Sequence, residues 1–117
     1  MKVLVIDDDE GSRKLACDLL KLKNIDPIEA GSGSEALVLL SPEIKFCITD
    51  IQLPDIDGYE IARRIKEEYP KMPIIVCTAS ISKIDKIKTM HMNHLFSAML
   101  LKPIHVDNFN EVISKLL

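Results

Sequence analysis

Ile48-Thr49-Asp50-Ile51-Gln52-Leu53-Pro54-Asp55-Ile56-Asp57-Gly58 is an apolar run that ends in one acid and passes into a loop rich in Pro, Asp and Gly. Phe46-Cys47-Ile48-Thr49 reads as a strand, and Asp50 stands at its end. Upstream, Val3-Leu4-Val5-Ile6 is too short for a helix and apolar on both faces, as a central parallel strand would be. It runs into Asp7-Asp8-Asp9-Glu10. Downstream, Ile74-Ile75-Val76-Cys77 ends at Thr78-Ala79-Ser80, and Ala98-Met99-Leu100-Leu101 ends at Lys102-Pro103. A weaker run, Ile25 to Glu29, contains Pro27 and is expected at a sheet edge.

Helical signals fill the gaps. Leu15, Leu19 and Leu22 recur at helical spacing and predict one apolar stripe. Ser32-Gly33-Ser34-Glu35 matches a capping box, with Ser32 as N-cap, and opens a helix through Ala36, Leu37 and Leu40 that stops before Pro42. Asp57-Gly58-Tyr59-Glu60 is a second capping signal, followed by Ile61, Ile65 and the Tyr69 region. Pro70 and Pro73 end that helix. Residues 82–95 are polar and helical in tendency, with Ile84, Ile87 and Met90 or His91 on one side. Val106, Phe109, Ile113 and Leu116 form the stripe of a last helix. Strand and helix alternate five times, which predicts an α/β domain with a parallel sheet and five helices on both faces. The informative polar residues all follow strand C-termini, the edge where open α/β sheets bind ligands.

The chain has 117 residues, enough for one domain over 1–117. It is 47% hydrophobic but only 4% aromatic, so Ile, Leu, Val, Met and Ala must build the core. A net charge of −3 argues against nucleic-acid binding, which uses a basic stripe. No apolar run approaches the length of a membrane span, and the N-terminus lacks the pattern of a signal peptide. Cys17, Cys47 and Cys77 each lie in apolar segments and read as buried free thiols, which fits a cytoplasmic protein.

Carboxylates converging on one strand edge repel one another and raise each other's pKa values. A hard divalent cation resolves this, and oxygen-only ligands suit Mg²⁺. A lysine aimed at the same place adds positive charge, and a threonine hydroxyl adds one hydrogen bond to a small anion. A carboxylate so surrounded can act as a nucleophile towards phosphorus and form an acyl phosphate. The residues therefore point to transient, Mg²⁺-dependent phosphorylation of Asp50. Asp9 reads as a helix-start residue, and Asp55 and Asp57 as turn and cap residues. His91 and His94 have no third ligand at suitable spacing for a metal. Lys83, Lys86 and Lys88 read as a solvated helix face.

Taken in order, Val3 to Asp9, Ile48 to Gly58, Cys77-Thr78-Ala79 and Leu101-Lys102-Pro103 resemble the receiver domain of bacterial two-component response regulators over essentially the whole chain. That resemblance implies a flavodoxin-like fold with strand order 2-1-3-4-5. It implies Asp50 as phosphoacceptor, Asp8 as a direct Mg²⁺ ligand, Asp7 as a ligand mainly through water, and the Gln52 backbone carbonyl as the third protein ligand. It implies that Thr78, with Ala79 beside it, meets the phosphoryl group and moves towards it on activation, that Lys102 pairs with that group, and that Pro103 shapes the loop aiming Lys102. The implied partners are a histidine kinase or phosphotransfer protein upstream and an unknown protein downstream, met through a face around residues 82–117. Self-association through the last helices is left open. Where the family usually has Tyr or Phe three residues before the lysine, this chain has Met99, and a methionine there is expected to pack inward. No output domain follows the last helix in these 117 residues. Two other readings compete. One is a binding module of the same fold that is never phosphorylated. The other is a haloacid-dehalogenase-type phosphatase built on Asp7 and Asp9.

Overall fold

A computed structural model describes residues 1–79, 82 and 94–117. Its elements are β1 (Lys2–Ile6), α1 (Glu10–Lys21), β2 (Asp26–Ala30), α2 (Gly33–Leu39), β3 (Ile44–Thr49), α3 (Gly58–Glu68), β4 (Ile74–Thr78), β5 (Ala98–Leu101) and α4 (Val106–Ser114). The strands form one parallel sheet in the order β2-β1-β3-β4-β5. Four helices lie among the described residues; the expected helix over 82–95, with the Lys83, Lys86 and Lys88 face and His91, lies outside them apart from Ser82, His94 and Leu95.

Alternation along the strands builds two cores. Leu4, Ile6, Cys47, Ile74 and Val76 face Ala36 of α2 and Ile61, Ala62 and Ile65 of α3. Val3, Val5, Phe46, Ile48, Ile75, Cys77 and Leu100 face α1 and α4, including Leu20, Phe109 and Ile113. Central strands with both faces covered explain the continuous apolar runs. Pro27 is tolerated because β2 is an edge strand with one neighbour, and it pairs with Val3. Burial pushes the free thiols of Cys47 and Cys77 up to about 12 and that of Cys17 to about 11, so none is a reactive thiolate at neutral pH.

The stripe expected on α1 is corrected. Leu19 is buried, but Leu15 is 38% exposed and Leu22 is 80% exposed. The buried set is Ala16, Cys17, Leu19 and Leu20. Small residues let the helix lie close on the sheet, and this rotates the buried face away from Leu15. Leu22 falls on the C-cap, beyond the last turn. The chain then reverses through Asn24 at φ 61°, a left-handed position that Asn accepts more readily than most residues. On α4, Phe109 and Ile113 are buried as expected, whereas Val106, in the first turn, is 50% exposed.

Met99 is corrected as well. It does not pack inward but is 36% exposed. Leu100 is the β5 residue turned into the core, so strand alternation points Met99 and Leu101 to the opposite face.

Phe109→Ala should lower the unfolding free energy by about 3 to 5 kcal/mol, because it empties a fully buried site. Val106→Ala should change it by no more than about 0.5 kcal/mol. Urea denaturation of both variants measures this; a large loss at Val106 would contradict the packing described.

Candidate functional site

Asp7, Asp50 and Lys102 each follow a strand, and a neighbouring strand fixes the backbone N–H of each. The Asp7 N–H donates to the Ala30 carbonyl of β2 at 3.0 Å, and the Asp50 N–H to the Ile6 carbonyl of β1 at 3.0 Å. The Lys102 N–H donates to the Thr78 carbonyl of β4 at 3.0 Å. The parallel ladder thus brings residues 7, 50 and 102 to one edge.

The side chains then meet. Lys102 Nζ lies 2.7 Å from Asp50 Oδ2 and 2.8 Å from Asp7 Oδ2. The other oxygens are held by backbone: Asp7 Oδ1 accepts the Asp9 N–H at 2.9 Å, and Asp50 Oδ1 accepts the Gln52 N–H at 3.0 Å. Asp7 and Asp50 are buried, whereas Asp8 is exposed. One carboxylate oxygen from each of Asp7, Asp8 and Asp50 lies within 4.8 Å of the others. Burial raises the pKa of Asp7, opposed by its hydrogen bond from Lys102. Burial alone would lower that of Lys102, but hydrogen bonds and charge from Asp50 and Asp7 outweigh it and raise it.

Three carboxylates and one ammonium leave this cluster a formal charge of −2. An all-oxygen donor set with that charge suits a hard divalent cation such as Mg²⁺. Asp8, exposed and without a side-chain partner among the described residues, is the acid most available to it.

Thr78 is buried at the end of β4, and exposed Ala79 follows it. Pro103 is exposed and joined to Lys102 by a cis peptide bond. Gln52 is exposed, with its N–H on Asp50. Asp9 caps α1, accepting the Ser12 N–H at 2.8 Å, and Asp57 caps α3, accepting the Tyr59 N–H at 2.7 Å. Both act as the sequence suggests.

Two supporting residues escaped the sequence reading. Arg13 donates through Nη1 to the Asp7 carbonyl at 2.8 Å and through Nε to Glu29 at 3.0 Å, pinning the acidic turn to β2. Nothing local marks it, because Arg13 lies on α1 and Glu29 on β2. Gly58 was legible only as part of a cap. A Cβ there would lie 2.5 Å from the Asp50 carbonyl oxygen and 2.5 Å from the Ile51 Cα, so the start of α3 packs directly on the backbone that carries Asp50.

The model of the response regulator receiver domain matches residues 3–114. Sensor protein TorS of Escherichia coli (strain K12) is 28% identical over 119 residues, covering 100% of this chain and 12% of that protein. Histidine kinase 3 of Arabidopsis thaliana is 38% identical over 73 residues, covering 61% of this chain and 7% of that protein. The chain therefore spans only a small part of these relatives. The crystal structure of a response regulator receiver domain protein from Clostridium thermocellum superposes with a TM-score of 0.86 at 26% identity, covering 98% of this chain and 92% of that one. With its strand order and the acids and lysine gathered at one sheet edge, the chain belongs to the response regulator receiver domain family.

Proposed function

We propose that this domain is a phosphorylation-dependent signalling switch in which Asp50 accepts a phosphoryl group from a histidine kinase or phosphotransfer protein. One observation carries the reading: Asp50 is held between the Gln52 N–H and the Lys102 ammonium beside two further acids. A carboxylate oxygen of Asp50 attacks phosphorus, the bond to the donor's imidazole nitrogen breaks, and the imidazole leaves with its electron pair. Lys102 offers its charge to the phosphoryl oxygens, and the Thr78 hydroxyl donates a hydrogen bond to one of them. Water attack on phosphorus later restores the carboxylate and releases phosphate. Asp7, Asp8, Asp50 and the Gln52 carbonyl would hold Mg²⁺, which neutralises charge on the transferring group when bound. Pro103 follows Lys102 and shapes the turn that aims it.

Exposed Met99, Leu101 and Val106 support a partner-binding face within residues 82–117. The kinase relatives support a kinase or phosphotransfer donor. No helix among the described residues is long and apolar enough to cross a membrane, which is compatible with a cytoplasmic site of action. The phosphatase alternative is disfavoured because the Asp9 carboxylate is taken up as the cap of α1, accepting the Ser12 N–H.

Incubation with Mg²⁺ and acetyl phosphate, read by intact mass, should give one phosphoryl adduct that hydroxylamine removes and Asp50→Asn lacks. No adduct on the folded protein would favour the non-phosphorylated module. An adduct kept in Asp50→Asn but lost in Asp7→Asn would favour the phosphatase.

Lys102→Met strips the cation from two buried carboxylates and should destabilise the protein by about 3 kcal/mol in EDTA. Mg²⁺ should recover more stability in the variant than in the wild type. Urea denaturation with and without Mg²⁺ measures this, and native stability of the variant in EDTA would contradict it.

A further inference from the structure

The loop from Ile51 to Asp57 leaves the sheet immediately after Asp50, and its conformation sets where the Gln52 carbonyl points. At its base the Gly58 N–H donates to the Ile51 carbonyl at 2.9 Å. Its outer part is held by Asp55. Asp55 Oδ1 accepts the Gly33 N–H at 2.9 Å and the Ile56 N–H at 2.9 Å. Oδ2 accepts the Ser34 N–H at 2.9 Å and the Ser34 hydroxyl. Both oxygens are thus committed, three of the four bonds going to residues more than twenty positions away in sequence.

The α2 end of this contact is complete. The Gly33 and Ser34 N–H groups go to Asp55, the Glu35 N–H to Ser32 Oγ at 3.2 Å, and the Ala36 N–H to the Ser32 carbonyl at 3.1 Å. Three otherwise orphaned donors of the first turn, those of Gly33, Ser34 and Glu35, are therefore satisfied, and the Ala36 N–H makes the first intrahelical bond. Packing agrees independently. A Cβ on Gly33 would lie 2.7 Å from Ile61 Cδ1 and 3.1 Å from Ile56 Cβ, so the loop and α3 pack closely on the start of α2.

We propose that Asp55 is a positioning residue for the metal pocket: by docking the loop after Asp50 onto the start of α2, it presets the Gln52 carbonyl for a divalent cation. The inference rests on the reading of Asp7, Asp8, Asp50 and Gln52 as that pocket. It assigns Asp55 a role beyond its own turn, because Gln52 lies only three residues before it while α2 is a separate, fixed element.

Isothermal titration with Mg²⁺ alone tests this on the wild type, Asp55→Ala, Asp55→Asn and Ser32→Ala. The last removes a cap from the same helix without touching the loop. Both Asp55 variants should weaken Mg²⁺ binding, the alanine by about tenfold, as loss of groups that orient metal ligands commonly does. Asp55→Asn keeps the side-chain shape and one acceptor oxygen, so it serves if the alanine variant does not fold. Ser32→Ala should lower the unfolding midpoint and leave Mg²⁺ affinity unchanged. Native Mg²⁺ affinity in folded Asp55→Asn, or an equal loss in Ser32→Ala, would overturn the proposal by reducing Asp55 to a helix cap. Absence of Mg²⁺ binding in the wild type would overturn the pocket itself and this inference with it.

Discussion

Lys102 reaches two carboxylates that would otherwise repel each other at the end of the sheet. Asp7 and Asp50 are both buried, and each gives one oxygen to the same ammonium at under 3 Å. Unpaired charges in such a place are expensive, so the ends of β1, β3 and β5 can meet here because this bridge pairs them. The bridge does not finish the neutralisation. Three acids against one lysine leave a deficit of positive charge facing solvent, on the side where Asp8 stands exposed. A site stable enough to fold, yet short of cations, agrees with the proposal that it takes a divalent metal and a phosphoryl group in turn.

The parallel sheet explains why these residues meet at all. Sequence distances of 43 and 52 residues separate Asp50 from Asp7 and Lys102, but parallel register brings all three to one edge. The loops there have no ladder of their own and need other anchors. Arg13 on the Asp7 carbonyl and the close seat of Gly58 on the Asp50–Ile51 backbone provide them. The chemistry is thus carried by a few side chains, and their placement by backbone contacts made to neighbouring elements.

Legibility followed the same division. The meeting of Asp7, Asp8, Asp50 and Lys102 was readable because each follows an apolar run, and strand ends in an α/β sheet share an edge. The caps at Asp9, Ser32 and Asp57 were readable because their partners lie two or three residues away. Leu15 and Leu22 misled because leucine spacing identifies a helix, while the small residues Ala16 and Cys17 decide which side lies against the sheet. Met99 is expected inside because methionine fills irregular space, yet alternation along β5 turns Leu100 inward instead. Arg13 and the reach of Asp55 to α2 were beyond any local rule, since their partners come from other strands and helices.

On the proposed reading, the acids at this sheet edge form one cation site around Asp50. Amide chemical shifts followed through a Mg²⁺ titration of the ¹⁵N-labelled domain test it most directly. A single saturable transition is expected, with the largest shifts at Asp7, Asp8, Asp50 and Gln52. Shifts scattered over exposed acids such as Glu67, Glu68 and Glu111, without saturation at those four, would contradict it.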